Sequence, residues 1–443
     1  MPEPGHVGTF SVKSSEATAL GALTTPWVAR ASRVSKILAM LVLPGLFVTY
    51  AHGNVEINDF SVYYTAARAV LEGIDPYSVK GPSGRPFVYP PGFAVLLVPL
   101  AALPHAAAAV LWTALGFAAV FGSLWLCLDL LGVARGAAAW TVGGFTLLCS
   151  ARMLDSELGN GQADHWVLLG ITASIWLVAR RRAALGGFAL AFAIVAKVTP
   201  LLLVAYYAAR REWRACAGVA AGIVILAGLL PALALGPRAA FDANLAWARA
   251  VVQPVLPGAP RSTTPRAEAP GRVHGYSLNA LVRRHLTRTQ AAAQHDEPVF
   301  VNAVSWSART AESIYHAVAL LVLGVTALAL GVRPPRDAPR WLLEVASVAT
   351  TMVLIAPLSR KAHFVILLLP FAYGVTRVLQ RSSRAAAVWV VPPALVFGLT
   401  SPGVIGDRAS ALALAWGAYT VATLWLWAGA LLASWRDRRP RLS

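Results

Sequence analysis

The sequence predicts an all-α polytopic membrane protein, and three observations lead there. Of the 443 residues, 57% are hydrophobic and only 13% charged, and the mean hydropathy is +0.61; an ordinary soluble domain carries about a quarter charged residues. Apolar runs recur along the chain between short arginine-bearing links, and a tilted helix needs about 20 apolar residues to cross the hydrocarbon core. Open loops and sheet edges find no backbone partners in lipid, so runs of this kind select a helical bundle over a barrel.

The formal net charge of +18 does not indicate nucleic acid. Lys and Arg cluster beside apolar runs, as in Arg180-Arg181-Arg182, Arg210-Arg211 and Arg436-Asp437-Arg438-Arg439, which is the pattern of topology signals. Cys127, Cys149 and Cys216 lie in apolar stretches without metal-ligand spacing and read as packing residues. The first apolar run is followed by Gly53-Asn54 rather than a small-x-small cleavage site, so it is expected to stay as a signal anchor.

Taken in order, residues 1–36 form a polar tail. Arg30, Arg33 and Lys36 precede the run Ile37 to Tyr50 and place the N-terminus in the cytoplasm. The chain then emerges on the outer side, with Asp59 at the far membrane face. Phe60 to Gly73 reads as a short surface helix, since Val62, Ala66, Ala69 and Val70 share a face and Gly73 suits its stop. Further runs follow at Phe93–Leu103, Ala106–Leu131, Ala137–Cys149, Trp166–Ala179, Ala183–Ala209 and Ala217–Leu235. The second half adds Ile314–Val332, Trp341–Pro357, Phe364–Leu379, Ala386–Leu399 and Ala411–Trp435. With the first run the expectation is about twelve spans, an even number that returns the basic tail 436–443 to the cytoplasm. Because arginine clusters flank Ala183–Ala209 on both sides, that run reads alternatively as a bent hairpin around Lys197-Val198-Thr199-Pro200, in which case Phe93–Leu103 is not a separate span. The outer segments are 51–92 and 236–309. In the second, a disordered half containing Pro254, Pro257, Pro260, Pro265 and Pro270 is expected before a helix over Ser277–Leu286.

Several polar residues stand where chemistry is possible. Asp59 reads either as a helix N-cap or as a partly desolvated general base. Tyr89-Pro90-Pro91-Gly92 is a rigid segment that starts a helix, with Tyr89 suited to the interface. Arg360, Lys361 and His363 make a basic turn on the expected outer side, suited to a phosphate or simply solvated. Arg283, Arg284 and His285 form a second basic group or one solvated helix face. In the polar island Asp155 to His165, Asn160 and Gln162 offer amides for sugar hydroxyls, or form a plain link. Lys197 lies inside an apolar run and needs a partner or a snorkelling path. The chain lacks a phosphate-binding Gly-x-x-x-x-Gly-Lys-Ser/Thr loop, an Asp-x-Asp motif, Gly-x-Ser-x-Gly and His-Glu-x-x-His; His295-Asp296-Glu297 is too weak a pattern for a metal site.

In this order, Asp59, Tyr63-Tyr64, Leu71-x-Gly73-x-Asp75-Pro76-Tyr77, Tyr89-Pro90-Pro91-Gly92, Leu96-x-x-Pro99-Leu100, Asn160-Gly161-Gln162, Lys197-x-x-Pro200, Ser277-Leu278-Asn279 and Pro357-Leu358-Ser359-x-x-x-His363 resemble glycosyltransferase family 87. That family includes actinobacterial α-1,2-mannosyltransferases and an arabinofuranosyltransferase, and the resemblance extends from about residue 36 to residue 380. It implies a GT-C bundle over 37–435, with surface helices in the first outer loop and a cavity at the outer face. It further implies an inverting enzyme of the cytoplasmic membrane that takes a sugar, here a hexose such as mannose, from a polyprenyl phosphate. The acceptor is a lipid or glycan, and no nucleotide, metal or other cofactor is called for. Carried onto this chain, Asp59 is the base and His363 stands near the donor phosphate or assists it. Arg360, Lys361, Arg283 and Arg284 are the phosphate-binding cations, and Tyr63, Tyr64, Tyr89, Asn160, Gln162, Lys197 and Asn279 line the cavity. The chain departs from the mannosyltransferase pattern at Arg360, where those enzymes usually carry Trp, which bears on sugar and acceptor identity. The readings from outside this class are a transporter or flippase of lipid-linked sugar, for which no internal repeat is evident, and a non-catalytic assembly protein. Within the class the alternative donor sugar is arabinofuranose.

Overall fold

Helices form along the apolar runs, and the first begins before its run does. In the computed structural model, which describes residues 26–436 apart from 57, 134, 254–274, 295–296 and 382, α1 spans Pro26–Val55. A break of three residues separates it from α2, Asp59–Leu71. The segment after Tyr89 makes two short helices, α3 (Pro91–Leu96) and α4 (Val98–Ala101). Pro90, Pro99 and Pro104 lack the amide a longer helix needs. The Phe93–Leu103 run therefore packs as short buried pieces against α2 rather than as a long helix.

Helices α5 (His105–Leu130) and α6 (Ala137–Gly159) are long. Then come α7 (Asp164–Ala179) and α8 (Ala183–Ala196), of 16 and 14 residues. The run Ala183–Ala209 is broken, as the hairpin alternative anticipated. Lys197 is extended, a 3-10 turn covers Thr199–Leu201, and α9 (Leu202–Ala209) follows. Next, α10 (Trp213–Leu235) carries a π-helical stretch at Val224–Leu229, where Asn244 of α11 (Pro237–Trp247) donates to the Ala227 carbonyl at 2.9 Å. The segment expected to open in disorder thus opens in a helix; its Pro-rich stretch 254–274 lies outside the described residues.

After that stretch, α12 (Leu278–Leu286) matches the expected helix, and a two-stranded ribbon pairs β1 (Ala292–Gln294) with β2 (Glu297–Val299). Two long helices follow, α13 (Ala308–Leu330) and α14 (Ala338–Ile355). The 3-10 segment Lys361–Leu367 runs into α15 (Leu368–Arg381). Then α16 (Arg384–Leu399) and α17 (Pro402–Ala415) meet at 91°, and α18 covers Ala418–Arg436. The expected run Ala411–Trp435 is split here, because Gly417 adopts φ +95°, a conformation that glycine takes without a Cβ penalty.

Among the described residues, eight helical stretches are long and apolar enough to cross a membrane, or nine with the bent pair taken as one span. The expectation of about twelve counted α7, α8 and the α3–α4 segment, which are shorter. Helices α14 and α15 form the buried centre, while α1 presents most of its surface outward. Small residues let backbones meet: a Cβ at Gly187 of α8 would run into the Ala215 carbonyl of α10, and one at Gly218 into the Ala184 carbonyl. A buried ion pair ties α9 to α13 and α14. Arg210 meets Glu344 at 2.5 Å, donates to the terminal α13 carbonyls of Leu330 and Gly331, and lies over the Tyr206 ring. The orphan carbonyls of a helix end take these bonds.

Candidate active site

Asp59 opens α2 but does not cap it. The cap is Asn58, whose side-chain oxygen accepts from the Phe60 amide at 2.9 Å while its Nδ2 donates to the Gly53 carbonyl. The N-cap reading of Asp59 is therefore corrected by one residue. Its carboxylate points elsewhere: Oδ1 pairs with Arg85 Nη1 at 2.6 Å and Oδ2 accepts from Gln162 Nε2. A carboxylate in the first turn also faces the positive end of the helix dipole. The Asp59 side chain is 18% exposed and that of Arg85 59%, so the pair sits at an opening rather than in the core.

Behind Asp59, the hydroxyls of Tyr63 and Tyr89 are 2.8 Å apart, and Tyr77 donates to the Tyr89 carbonyl at 2.7 Å. Tyr89 is anchored further by its neighbours. Trp247 donates to the Val88 carbonyl at 3.3 Å, and Gly92 lies against Leu226 with no room for a side chain. Burial pushes both phenols well above their ordinary range, and for Tyr89 the carboxylates of Asp164, Asp59 and Glu157 add to it. Both hydroxyls are thus protonated hydrogen-bonding groups, and Tyr89 lies within electrostatic reach of Asp59 and Asp164 alike.

Asp164 begins α7, and Lys197, in the extended break after α8, donates to both of its oxygens at 2.7 and 2.8 Å. Together with Thr199, Ser359 and His363 they line one pocket. The loop motifs of the second half converge on the same segment. The Tyr276 amide donates to the Ser359 carbonyl at 2.7 Å, and Asn279 Nδ2 to the Pro357 carbonyl at 2.9 Å.

The structure thus gathers Asp59, Tyr63, Tyr89 and Gln162 in one group and Lys197 and His363 in another, with Asn279 bonded to the backbone of the His363 segment. It does not bring every predicted residue in. Tyr64 donates to the Leu103 carbonyl at 2.8 Å, and Asn160 Nδ2 to the Ser156 carbonyl at the end of its own helix. Arg284 is buried, donates to the Gly275 carbonyl at 2.8 Å and lies over the Tyr276 ring, so it braces the loop instead of presenting an outer charge; Arg283 next to it is half-buried. Arg360 is exposed, and Lys361 stands near Arg152 and Asp155. Among the described residues, no group of three or more His, Cys, Asp or Glu comes together as metal ligands.

A family model for glycosyltransferase family 87 matches residues 87–357, which is more than half of the chain. The chain belongs to glycosyltransferase family 87. Over 189 residues it is 26% identical to an alpha-(1->3)-arabinofuranosyltransferase of Corynebacterium glutamicum, covering 42% of this chain and 45% of that one. Over 223 residues it is 28% identical to the polyprenol-phosphate-mannose-dependent alpha-(1-2)-phosphatidylinositol pentamannoside mannosyltransferase of Mycolicibacterium smegmatis, covering 47% and 52%. The chain spans about half the length of these curated relatives. As a family 87 member it is a glycosyltransferase, and the matched interval holds Tyr89, Gln162, Lys197 and Asn279 but neither Asp59 nor His363. What joins those two to it is geometry: Gln162 bonds Asp59, and His363 shares a pocket with Lys197.

Four functional candidates escaped the sequence reading. Asp164 could have been found, because an intramembrane Lys demands an acid and one stands at the start of a neighbouring apolar run. Glu157 and His165 lie in the polar island, yet nothing in their spacing marks them as the buried pair they form at 2.8 Å. Arg85 had no signal beyond its turn-rich loop.

Proposed function

We propose that this family 87 glycosyltransferase transfers a hexose, mannose in the simplest case, from a polyprenyl phosphate to a lipid or glycan acceptor, with inversion at the anomeric carbon. Asp59 is the general base. The observation that carries this reading is the placement of its carboxylate: at a helix N-terminus, held by Gln162 and Arg85, at an opening beside protonated Tyr63 and Tyr89. An acceptor hydroxyl is a poor nucleophile, so a carboxylate within hydrogen-bond reach takes its proton as the oxygen attacks. The sugar–phosphate bond breaks on the opposite face, and the departing phosphate takes the bonding electrons. Positive groups stabilise that charge, and Arg360, Lys361 and His363 are the candidates on the segment next to the Asp164–Lys197 pocket. In the membrane, the first outer segment roofs the cavity, both termini lie in the cytoplasm, and the site opens to the outer face of the cytoplasmic membrane. The likeness to an arabinofuranosyltransferase supports a second reading in which the donor sugar is arabinofuranose.

The test is transfer of radiolabelled sugar from polyprenyl-phosphate-mannose to membrane lipid acceptors by purified wild type and Asp59→Asn. Transfer by wild type that is lost in the variant is the expected result. No transfer by well-folded wild type moves the test to polyprenyl-phosphate-arabinofuranose, and movement of intact donor across vesicles without transfer would replace the enzyme by a flippase. Equal transfer by Asp59→Asn would overturn the role of the base.

A further inference from the structure

Glu157 and His165 form a buried polar pair that the proposed chemistry does not use. Their side chains are 0% and 2% exposed, and neither lines the Asp164–Lys197 pocket. An acid buried this deeply is costly unless its bonds are well made; Glu157 Oε2 and His165 Nε2 have no hydrogen-bond partner among the described residues, and the bonds that Glu157 does make serve one short stretch of chain. Its Oε1 takes the His165 amide at 2.9 Å and meets His165 Nδ1 at 2.8 Å, and its main-chain carbonyl accepts from the Gln162 amide at 3.1 Å. One residue at the end of α6 thus fastens the turn at Gln162 and again at His165, the second residue of α7.

That turn is the element that holds Asp59. The Asp59 amide donates to the Asn160 carbonyl at 3.3 Å, and Gln162 Nε2 donates to the Asp59 carboxylate. Between them, Gly161 has φ +61° and lies so close to Asn54, Asn58 and Phe60 that a Cβ would come within 2.7 Å of Asn54 Oδ1. The turn is pressed against the α1–α2 junction with no slack. We propose that Glu157 and His165 are positioning residues for the base: they hold the turn so that the Gln162 amide fixes one oxygen of Asp59 and leaves the carboxylate oriented toward the acceptor. The inference rests on the reading of Asp59 as base, and it assigns Gln162 to the enzyme's own carboxylate rather than to a sugar hydroxyl.

The experiment is a double-mutant cycle on steady-state transfer from polyprenyl-phosphate-mannose, using Glu157→Ala, Gln162→Ala and both together, with Glu157→Gln as the conservative variant. If Glu157 acts through Gln162, each single change lowers kcat by about 10²-fold, the cost of a misplaced catalytic group. KM for the donor stays within about twofold, and the double variant is no worse than either single one. Glu157→Gln, which keeps an oxygen for His165, recovers most of kcat. Costs that multiply in the double variant, or a rise in KM with kcat unchanged, would overturn the proposal. So would Glu157→Gln as inactive as Glu157→Ala, since the charge and not the clamp would then matter. Should Glu157→Ala fail to fold, Gln162→Ala and Glu157→Gln carry the kcat and KM comparison. Asp59→Asn in parallel separates the two ideas. If it transfers normally, the base reading fails; if it is inactive while the cycle is additive, only the positioning proposal fails.

Discussion

Two carboxylate–arginine pairs sit in different parts of the molecule and are built oppositely. Glu344 and Arg210 are 0% and 1% exposed, and the protein supplies bonds on every side: Tyr206 and Arg340 to the carboxylate, Leu330 and Gly331 carbonyls to the guanidinium. Asp59 and Arg85 are part-exposed, and among the described residues Gln162 adds the other side-chain bond to the carboxylate. A closed pair of the first kind leaves no space for a substrate, so its role is architectural. The second leaves a carboxylate part-exposed while holding its direction, as the proposed base requires. The difference teaches that a deep acid closed in by its partners serves the fold, while a part-exposed one held from two sides is free to serve a site.

The comparison is broken or sharpened by changing one member at a time. Asp59→Asn has the largest expected effect, a loss of transfer of about 10²–10⁴-fold with the melting temperature nearly unchanged, measured by labelled-sugar transfer and thermal unfolding in detergent. Glu344→Ala acts on the other quantity. It strands the Arg210 guanidinium in the interior and costs about 3–5 kcal/mol of stability, read as a lowered melting temperature, whereas Arg210→Met with Glu344→Leu regains much of it. An inactive but fully stable Glu344→Ala would contradict the architectural reading. Arg85→Ala removes an exposed partner and costs less than about 1 kcal/mol of stability, so its effect is to be sought in transfer, as a change of several-fold from a reoriented Asp59. Smallest in transfer at neutral pH is Tyr63→Phe, which removes the hydroxyl pair with Tyr89 and costs about 1 kcal/mol of stability. Its signature is alkaline. Because burial raises the folded Tyr63 above its ordinary value, the stability this phenol contributes is complete below about pH 10 and declines as the unfolded chain ionises. Tyr63→Phe escapes that part of the decline, and unfolding followed between neutral and alkaline pH checks it.

Much of this was legible because lipid restricts the choices. The apolar runs give the helices, Gly73 falls just beyond the end of α2, and the loop helix at Leu278–Leu286 follows its pattern. Span count was harder to read, since hydropathy does not register that Lys197 turns extended or that Gly417 breaks a helix. At the site, single residues such as Asp59 and Lys197 stood out by being polar in apolar surroundings. Their partners did not. Arg85 reaches Asp59 and Asp164 reaches Lys197 across chain separations that no local spacing encodes, and Asn58 rather than Asp59 caps α2 because two adjacent residues compete for one position.

The close crossing of α8 and α10 bears on how the break at Lys197 is supported. Fourteen residues are too few to span a bilayer unaided, where about 20 are needed, so α8 depends on the helices beside it. It is packed on both sides: Gly170 and Gly186 bring it against α7, and Gly187 and Gly218 against α10. A bulkier residue at Gly187 or Gly218 would part α8 from α10 and leave the segment that carries Lys197 without that support.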